Sequence, residues 1–369
     1  MSAIRSIQSK THTSLASSLR ALSSTAKKPS DPSPKPSFQK KSLKQKNLNK
    51  LESSKVLNPN KPLPGKESNP AVQALLRLEG ASGKSAYQAS SPRFEENDLY
   101  GPSGKPTKED IDQDRIGDCY YVATLAAIAD EQPEKIEDAI QYNPNSETFT
   151  VTLHERYDSN GWWPGGGKTR EVTIEVTQAE IEDNLQRRGG STVDNNNLNN
   201  NTIDAPIWPA VMETAYAKLN DKDATDGLDE GYKEIVGGWA KDAMLAVLGD
   251  KGEVFRVNSS EDKDLEKAYD HLSQAIKNDQ PITLSTDPES VFWNFLGAQD
   301  GLVDDHVYSL EGIDHDSNGE VVLQLRNPWG DNNNKDEGVS HPDPVIEVKL
   351  KDLVLAGGLD YFNIGPEPK

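Results

Sequence analysis

A thiol attacks carbonyl carbon as its thiolate, so a lone cysteine becomes informative when its neighbours would help it ionise. This 369-residue chain has one, Cys119, in the stretch Gln113-Asp-Arg-Ile-Gly-Asp-Cys-Tyr. Gly117 and Asp118 break the chain just before CYYVATLAAIA, a run apolar on nearly every face that reads as a buried helix opening at Cys119. A thiol at a helix N-terminus meets the positive end of the dipole, which is expected to depress its pKa. Gln113 lies in the loop that leads into this helix. Its side-chain amide and the Cys119 backbone N–H could together donate to a developing oxyanion. Taken without these neighbours, a single cysteine is more often a small buried hydrophobe.

A catalytic thiol needs a base, and the chain holds six histidines. His12 lies in the N-terminal tail. His154 and His271 fall in ordinary strand and helix patterns, His315 in the turn DHDSNGE, and His341 in a polar, Pro-containing loop. His306 opens the strand pattern HVYSLEGI, and a return strand VVLQLR ends at Asn327. A hairpin turning at 316–317 would set His306 opposite Asn327, with Cα atoms roughly 4.5–5.5 Å apart. The Asn327 amide oxygen could then accept from one imidazole N–H and turn the other nitrogen toward the thiol. A turn centred on Asn318-Gly319 shifts this pairing, so both registers stay open. Alone, His306 would be a satisfied half-buried histidine and Asn327 a strand-end turn residue.

These residues resemble a known family. Gln113, Gly117, Asp118 and Cys119 before an Ala/Leu-rich helix, then His306-x-Tyr308-Ser309, then Arg326-Asn327-Pro328-Trp329-Gly330, look like the calpain-type cysteine proteases. Trp208 and Glu213-x-Ala215-Tyr216-Ala217-Lys218-Leu219 resemble that family's mid-domain helix, and Gly237-Gly238 its substrate-facing glycine pair. The likeness covers about residues 105–365. It implies a papain-like α+β fold with two lobes flanking a cleft. It also implies a cysteine endopeptidase acting on protein substrates: Gln113 in the oxyanion hole, Cys119 as nucleophile, His306 as proton shuttle and Asn327 orienting it. Trp329 would shield the His–Asn hydrogen bond, Asp118 would support the site, and Gly237 and Gly238 would let substrate backbone approach. No cofactor is needed for this chemistry; the family implies calcium as a regulator, and no ligands for it can be assigned by motif. Asp314-x-Asp316-x-Asn318-Gly319 mimics the start of a calcium loop, but the twelfth position is Leu325 instead of a carboxylate, so a hairpin turn is expected. Asp114 and Tyr120 depart from the family's usual Gly and Trp without removing a catalytic group.

The elements that must position these groups follow from periodicity. Alternation predicts strands at 147–153, 169–176, 282–285, 306–313, 321–325 and 345–350; helical spacing predicts 207–219, 241–248 and 262–278, the last starting after the cap-like Ser259 and Ser260. Helices lead in the first half of the body and strands in the second, an α+β pattern with lobes at about 105–248 and 249–369. Trp162-Trp163-Pro164 and the glycines after it read as a loop, and 186–202 as an Asn-rich insertion.

Composition narrows the function classes. One cysteine excludes a disulfide framework and multi-cysteine metal sites within the chain, and no apolar stretch approaches a membrane span. Residues 1–66 carry 14 Lys+Arg against 2 Asp+Glu, while the rest of the chain holds 26 basic and 58 acidic groups, so the body is a poor nucleic-acid binder. The Ser/Lys/Pro-rich tail (1–67) is expected to be disordered, with a linker at 68–104 carrying a short helix at 71–79. Its first 25 residues lack the apolar core of a secretory signal and suit a plain solvated tail, an organellar presequence or a nonclassical export signal. The tail could also fold back over the cleft and inhibit it. A reducing, cytoplasmic-type compartment and a monomer are expected. Two other readings stay open: a different acyl-transfer enzyme on the same fold (deamidase, transglutaminase-like or ubiquitin-directed hydrolase), and a non-enzymatic binding protein whose tail recruits an acidic partner.

Overall fold

A computed structural model describes residues 94–113, 115–157, 168–186, 205–221, 228–287, 301–333 and 340–369. The basic tail, the short helix at 71–79, the Trp162–Trp163 loop and most of the Asn-rich loop fall outside them.

Two hydrophobic cores organise the described chain, one per lobe. The first is built around helix α1 (Cys119–Glu131), whose residues Tyr120 to Ala129 are all buried. That explains why its sequence shows no polar face: helices pack on one side and the second lobe on the other. Gln132 closes α1, and Pro133, pre-set for a helix start, opens α2 (Pro133–Ala139). Strands β1 (Ile140–Asn143), β2 (Thr148–Tyr157) and β3 (Lys168–Val176) form an antiparallel sheet. Helices α3 (Gln178–Gln186), α4 (Trp208–Asn220), α5 (Leu228–Glu234) and α6 (Ala240–Leu248) complete this lobe. Phe94 and Leu99 are buried in the same core, so the packed chain reaches back past the expected start near 105.

The second lobe is a six-stranded antiparallel sheet in the order β4-β9-β5-β6-β7-β8. Its strands are β4 (Glu253–Phe255), β5 (Ile282–Thr286), β6 (Val307–His315), β7 (Val321–Arg326), β8 (Val345–Lys349) and β9 (Leu359–Ile364). Helix α7 (Asp262–Lys277) buries Leu265, Ala268, Leu272 and Ala275, one stripe at helical spacing, over β6 and β7. A short helix α8 (Leu350–Ala356) links β8 to β9. The α7 N-cap is Glu261 and not a serine; Ser259 instead accepts from the Glu261 N–H at 3.2 Å.

Every residue of β5 is buried because α1 packs against β5 and β6 from the first lobe. The lobes are also joined by side chains. Gln132 donates to the carbonyls of Asp279 (2.8 Å) and Pro366 (2.9 Å). Lys108 pairs with Glu311 at 3.2 Å, and Arg326 lies 3.5 Å from Glu311 and 3.7 Å from Glu109.

The β6–β7 register follows neither sequence option. Ser309 faces Arg326 and Leu310 faces Leu325; a bulge between Leu310 and Gly312 then shifts the pairing by one, to Gly312 opposite Gln324. Continued toward the site, this register sets Tyr308 level with Asn327, so His306 and Asn327 are diagonal neighbours on one face and not a direct pair.

Candidate active site

Cys119 is half-buried at the first position of α1, against the start of β6. The backbone N–H groups of Val307, Tyr120 and Cys119 itself lie close enough to act on its sulfur. The Val307 contact puts the thiol one residue from His306. These N–H groups favour the thiolate, as a helix N-terminus should, but burial and the Asp118 carboxylate outweigh them and push the thiol up to about 11. The depressed pKa expected from the sequence is therefore reversed in this state. The dipole acts on the sulfur, and desolvation acts more strongly.

His306 is buried, and its Nε2 lies 3.0 Å from Asn327 Oδ1. Asn327 can only accept there, which fixes the proton on Nε2 and leaves Nδ1 as the free base position. Burial, partly countered by this bond, lowers His306 to about 4. Asn327 Oδ1 also accepts from the Trp329 backbone N–H at 3.1 Å. The Trp329 ring, 36% exposed, tilts over the imidazole with centroids 4.7 Å apart. Tyr308 meets the imidazole edge-on at 5.1 Å, and its hydroxyl accepts from the Val303 N–H at 2.9 Å.

The loop carrying Gln113 is fastened to the loop carrying Asn327: the Gln113 N–H donates to Pro328 O at 2.7 Å. The Gln113 side-chain amide is engaged within its own loop. Its Nε2 donates to Ile116 O (2.7 Å) and Asp118 Oδ1 (3.2 Å). Both amide hydrogens are thus committed inside the loop that precedes Cys119.

The glycine pair borders the same loop. Gly237 N–H donates to Gly117 O at 2.8 Å, with φ +72°. A Cβ on Gly238 would stand 2.4 Å from the Tyr120 ring, so only glycine fits against the residue after the nucleophile. The remaining described histidines lie elsewhere. His154 reaches Ala246 O at 3.4 Å, His315 meets Glu266 at 3.1 Å, His271 lies 3.3 Å from Glu253, and His341 reaches Asp343 O at 3.3 Å.

Sequence reasoning missed a buried polar cluster beneath the nucleophile. Asp118, Glu213 and Asn184 are all fully buried, and Asn184 Nδ2 donates to Glu213 Oε2 at 2.6 Å and to the Tyr232 hydroxyl at 2.9 Å. The available signal was a glutamate standing inside the apolar run of α4, WPAVMETAYA.

The residues present do not fit a cation at the turn 314–319. Asp316 Oδ1 accepts from the Asn318 (2.8 Å) and Glu320 (2.9 Å) N–H groups, and its other oxygen faces Lys349 at 3.4 Å. The carboxylate is spent on its own hairpin. Among the described residues no three His, Cys, Asp or Glu side chains gather to hold a metal ion. Among the same residues no helix is long and apolar enough to cross a membrane.

Comparison with known proteins agrees with this architecture. The family model "Calpain family cysteine protease" matches residues 93–338. Human calpain-9 is 26% identical over 230 residues, covering 62% of this chain and 29% of that protein. Rat calpain-13 is 26% identical over 229 residues (60% and 29%), and the human calpain-2 catalytic subunit 25% over 235 (62% and 29%). The chain thus spans less than a third of the length of these relatives. A family match over most of the folded body leads to one statement: this chain belongs to the calpain family of cysteine proteases.

Proposed function

We propose that the chain is a cysteine endopeptidase that cleaves protein substrates through Cys119, His306 and Asn327. The single observation that carries this reading is the 3.0 Å bond from His306 Nε2 to Asn327 Oδ1, made one residue away from the N–H that touches the Cys119 sulfur. It fixes the tautomer that a general base for this thiol requires.

The chemistry runs on these groups alone. In the free site the thiol and the imidazole are both neutral, since burial opposes each charge. Moving the thiol proton to His306 Nδ1 makes opposite charges side by side, and their attraction offsets the desolvation that each would suffer separately. Cys119 sulfur then bonds the scissile carbonyl carbon, and the carbonyl π electrons move to oxygen. His306 returns the proton to the leaving amine as the C–N bond breaks. A water, deprotonated by His306, releases the acyl group and restores the thiol. The Cys119 backbone N–H is one oxyanion donor. Gln113 becomes the second when its amide gives up Ile116 and Asp118 and turns outward. Gly237 and Gly238 offer close backbone approach beside the nucleophile's loop.

The test is hydrolysis of an unfolded protein by the purified chain, read by new peptide ends. Cys119→Ala should abolish it, with the thermal midpoint retained. Full activity in that variant would sink the assignment. Ammonia release without new peptide ends would point to a deamidating acyl transfer at the same thiol.

A further inference from the structure

Asp118 stands at the N-cap of α1, where an aspartate ordinarily bonds the helix's own free N–H groups; its side chain makes no such bond. It turns inward instead, accepts from Gln113 Nε2 at 3.2 Å, and has the Glu213 carboxyl within hydrogen-bonding reach. Among the described residues no N–H donor reaches its second oxygen, Oδ2. Two carboxyl groups can bond each other only when one carries a proton. Both are wholly removed from water, so two carboxylates in contact here would repel with little solvent to screen them.

We propose that Asp118 and Glu213 share one proton as a carboxylic acid–carboxylate pair, and that this pair positions the start of the Cys119 helix and the Gln113 amide. The inference rests on the reading of Cys119 as nucleophile. Through the pair, α1 is pinned to α4; through Asn184 and Tyr232 the same network reaches α3 and α5. Thr214 adds a contact to the Tyr232 hydroxyl at 3.0 Å. The groups around the pair are amides and weak acids: Gln113 and Asn184, the Cys119 thiol, and the phenols of Tyr120, Tyr121, Tyr216 and Tyr232. Among the described residues no cation is among the groups acting on Asp118. A shared proton holds these carboxyls together.

The pair also sets the charge under the nucleophile. Asp118 already makes the thiol harder to ionise. A second full negative charge at Glu213 would add to that opposition. A pair holding its proton keeps the charge to one and leaves Gln113 anchored to an acceptor.

The sign of the pH dependence follows. A carboxyl that holds its proton in the folded chain above its unfolded pKa stabilises the fold at low pH. That stabilisation fades as pH rises from the ordinary carboxylate range toward the folded value. Glu213→Gln keeps the shape, accepts from Asn184, and donates an amide N–H to Asp118 without needing a proton. Glu213→Ala leaves Asp118 buried without its partner.

The experiment follows thermal midpoint against pH and the rate of Cys119 alkylation by iodoacetamide, using the full chain and both variants. The Glu213→Gln variant should lose less thermal stability than the parent between mildly acidic and mildly alkaline pH, and should restore most of the alkylation rate. The Glu213→Ala variant should be alkylated roughly tenfold more slowly. Parallel midpoint profiles for parent and Glu213→Gln would overturn the shared proton. Alkylation of Glu213→Ala at the parent rate would overturn the positioning role. Neither readout requires peptide cleavage, so a failure of the peptidase reading appears separately.

Discussion

Replacing Asn327 by alanine isolates the contact on which the site depends. Asn327 Oδ1 takes two N–H donors, His306 Nε2 at 3.0 Å and the Trp329 backbone at 3.1 Å. The Trp329 ring lies partly in solvent, and its backbone is only part-buried, so water can replace that bond. His306 is 4% exposed, and its Nε2–H would be left without an acceptor. During catalysis the ring becomes an imidazolium, which makes the lost bond a charge-assisted one, worth about 1.5–3 kcal/mol. If that loss falls on the transition state, kcat/KM drops roughly 10- to 150-fold. The freed ring can also take the wrong tautomer, which adds to the loss. Asn327→Asp keeps the acceptor and adds a charge, so it should raise His306 from about 4 by roughly one to three units. A histidine held neutral destabilises the fold as pH falls from its unfolded value, roughly 6.5, toward about 4. That acid-side loss should shrink in the aspartate variant. Hydrolysis of a fluorogenic peptide, paired with thermal midpoints at several pH values, measures both effects. An alanine variant within twofold of the parent enzyme would refute the orienting role.

Three further outcomes follow from the same geometry. Alkylation of Cys119 by iodoacetamide in the free chain should keep climbing with pH through the alkaline range, because burial pushes the thiol to about 11; a plateau below about pH 7 would show a thiolate already formed. Gly238→Ala sets a Cβ 2.4 Å from the Tyr120 ring, so either the fold loses about 1–3 kcal/mol or Tyr120 moves and hydrolysis falls, read by denaturant melts and kcat/KM. The lobes are joined by the chain's own contacts, through Gln132, Lys108–Glu311 and the packing of α1 on β6, so a calcium chelator should leave peptide hydrolysis within about twofold; a tenfold loss would show that a bound cation assembles the cleft.

Much of the second lobe was legible because its elements bury one face or one stripe. Helix α7 and strands β5, β6, β7 and β8 all lie within one or two residues of their predicted spans. The elements that were missed are short or shaped by the tertiary fold: α2 begins on a proline, α5 and α8 have seven residues each, and β4 has three. Strand β9 was missed although Tyr361 to Ile364 are buried, because LDYFNI shows no alternation to read. A strand covered on both faces by other elements loses the period-two signal. The bulge between Leu310 and Gly312 was invisible for a different reason: one extra residue in a hairpin changes no composition, only the pairing.

The same division runs through the site. Residue types and spacing were enough to pair His306 with Asn327, because that bond spans one hairpin. The charge state of Cys119 and His306 was not legible, because it depends on how much water the second lobe removes. The dipole argument at Cys119 was sound in direction, and the helix N–H groups do favour the thiolate. What reversed it was β6, arriving almost two hundred residues later in the chain and closing over the thiol. Glu213 makes the point from the other side. Nothing in WPAVMETAYA says whether the glutamate faces water, and only the fold brings it against an aspartate that sits next to the nucleophile. Electrostatics in this cleft is therefore a property of the joined lobes. A substitution that loosens their contact should move the thiol, the imidazole and the buried carboxyls toward their ordinary values together, and not one at a time.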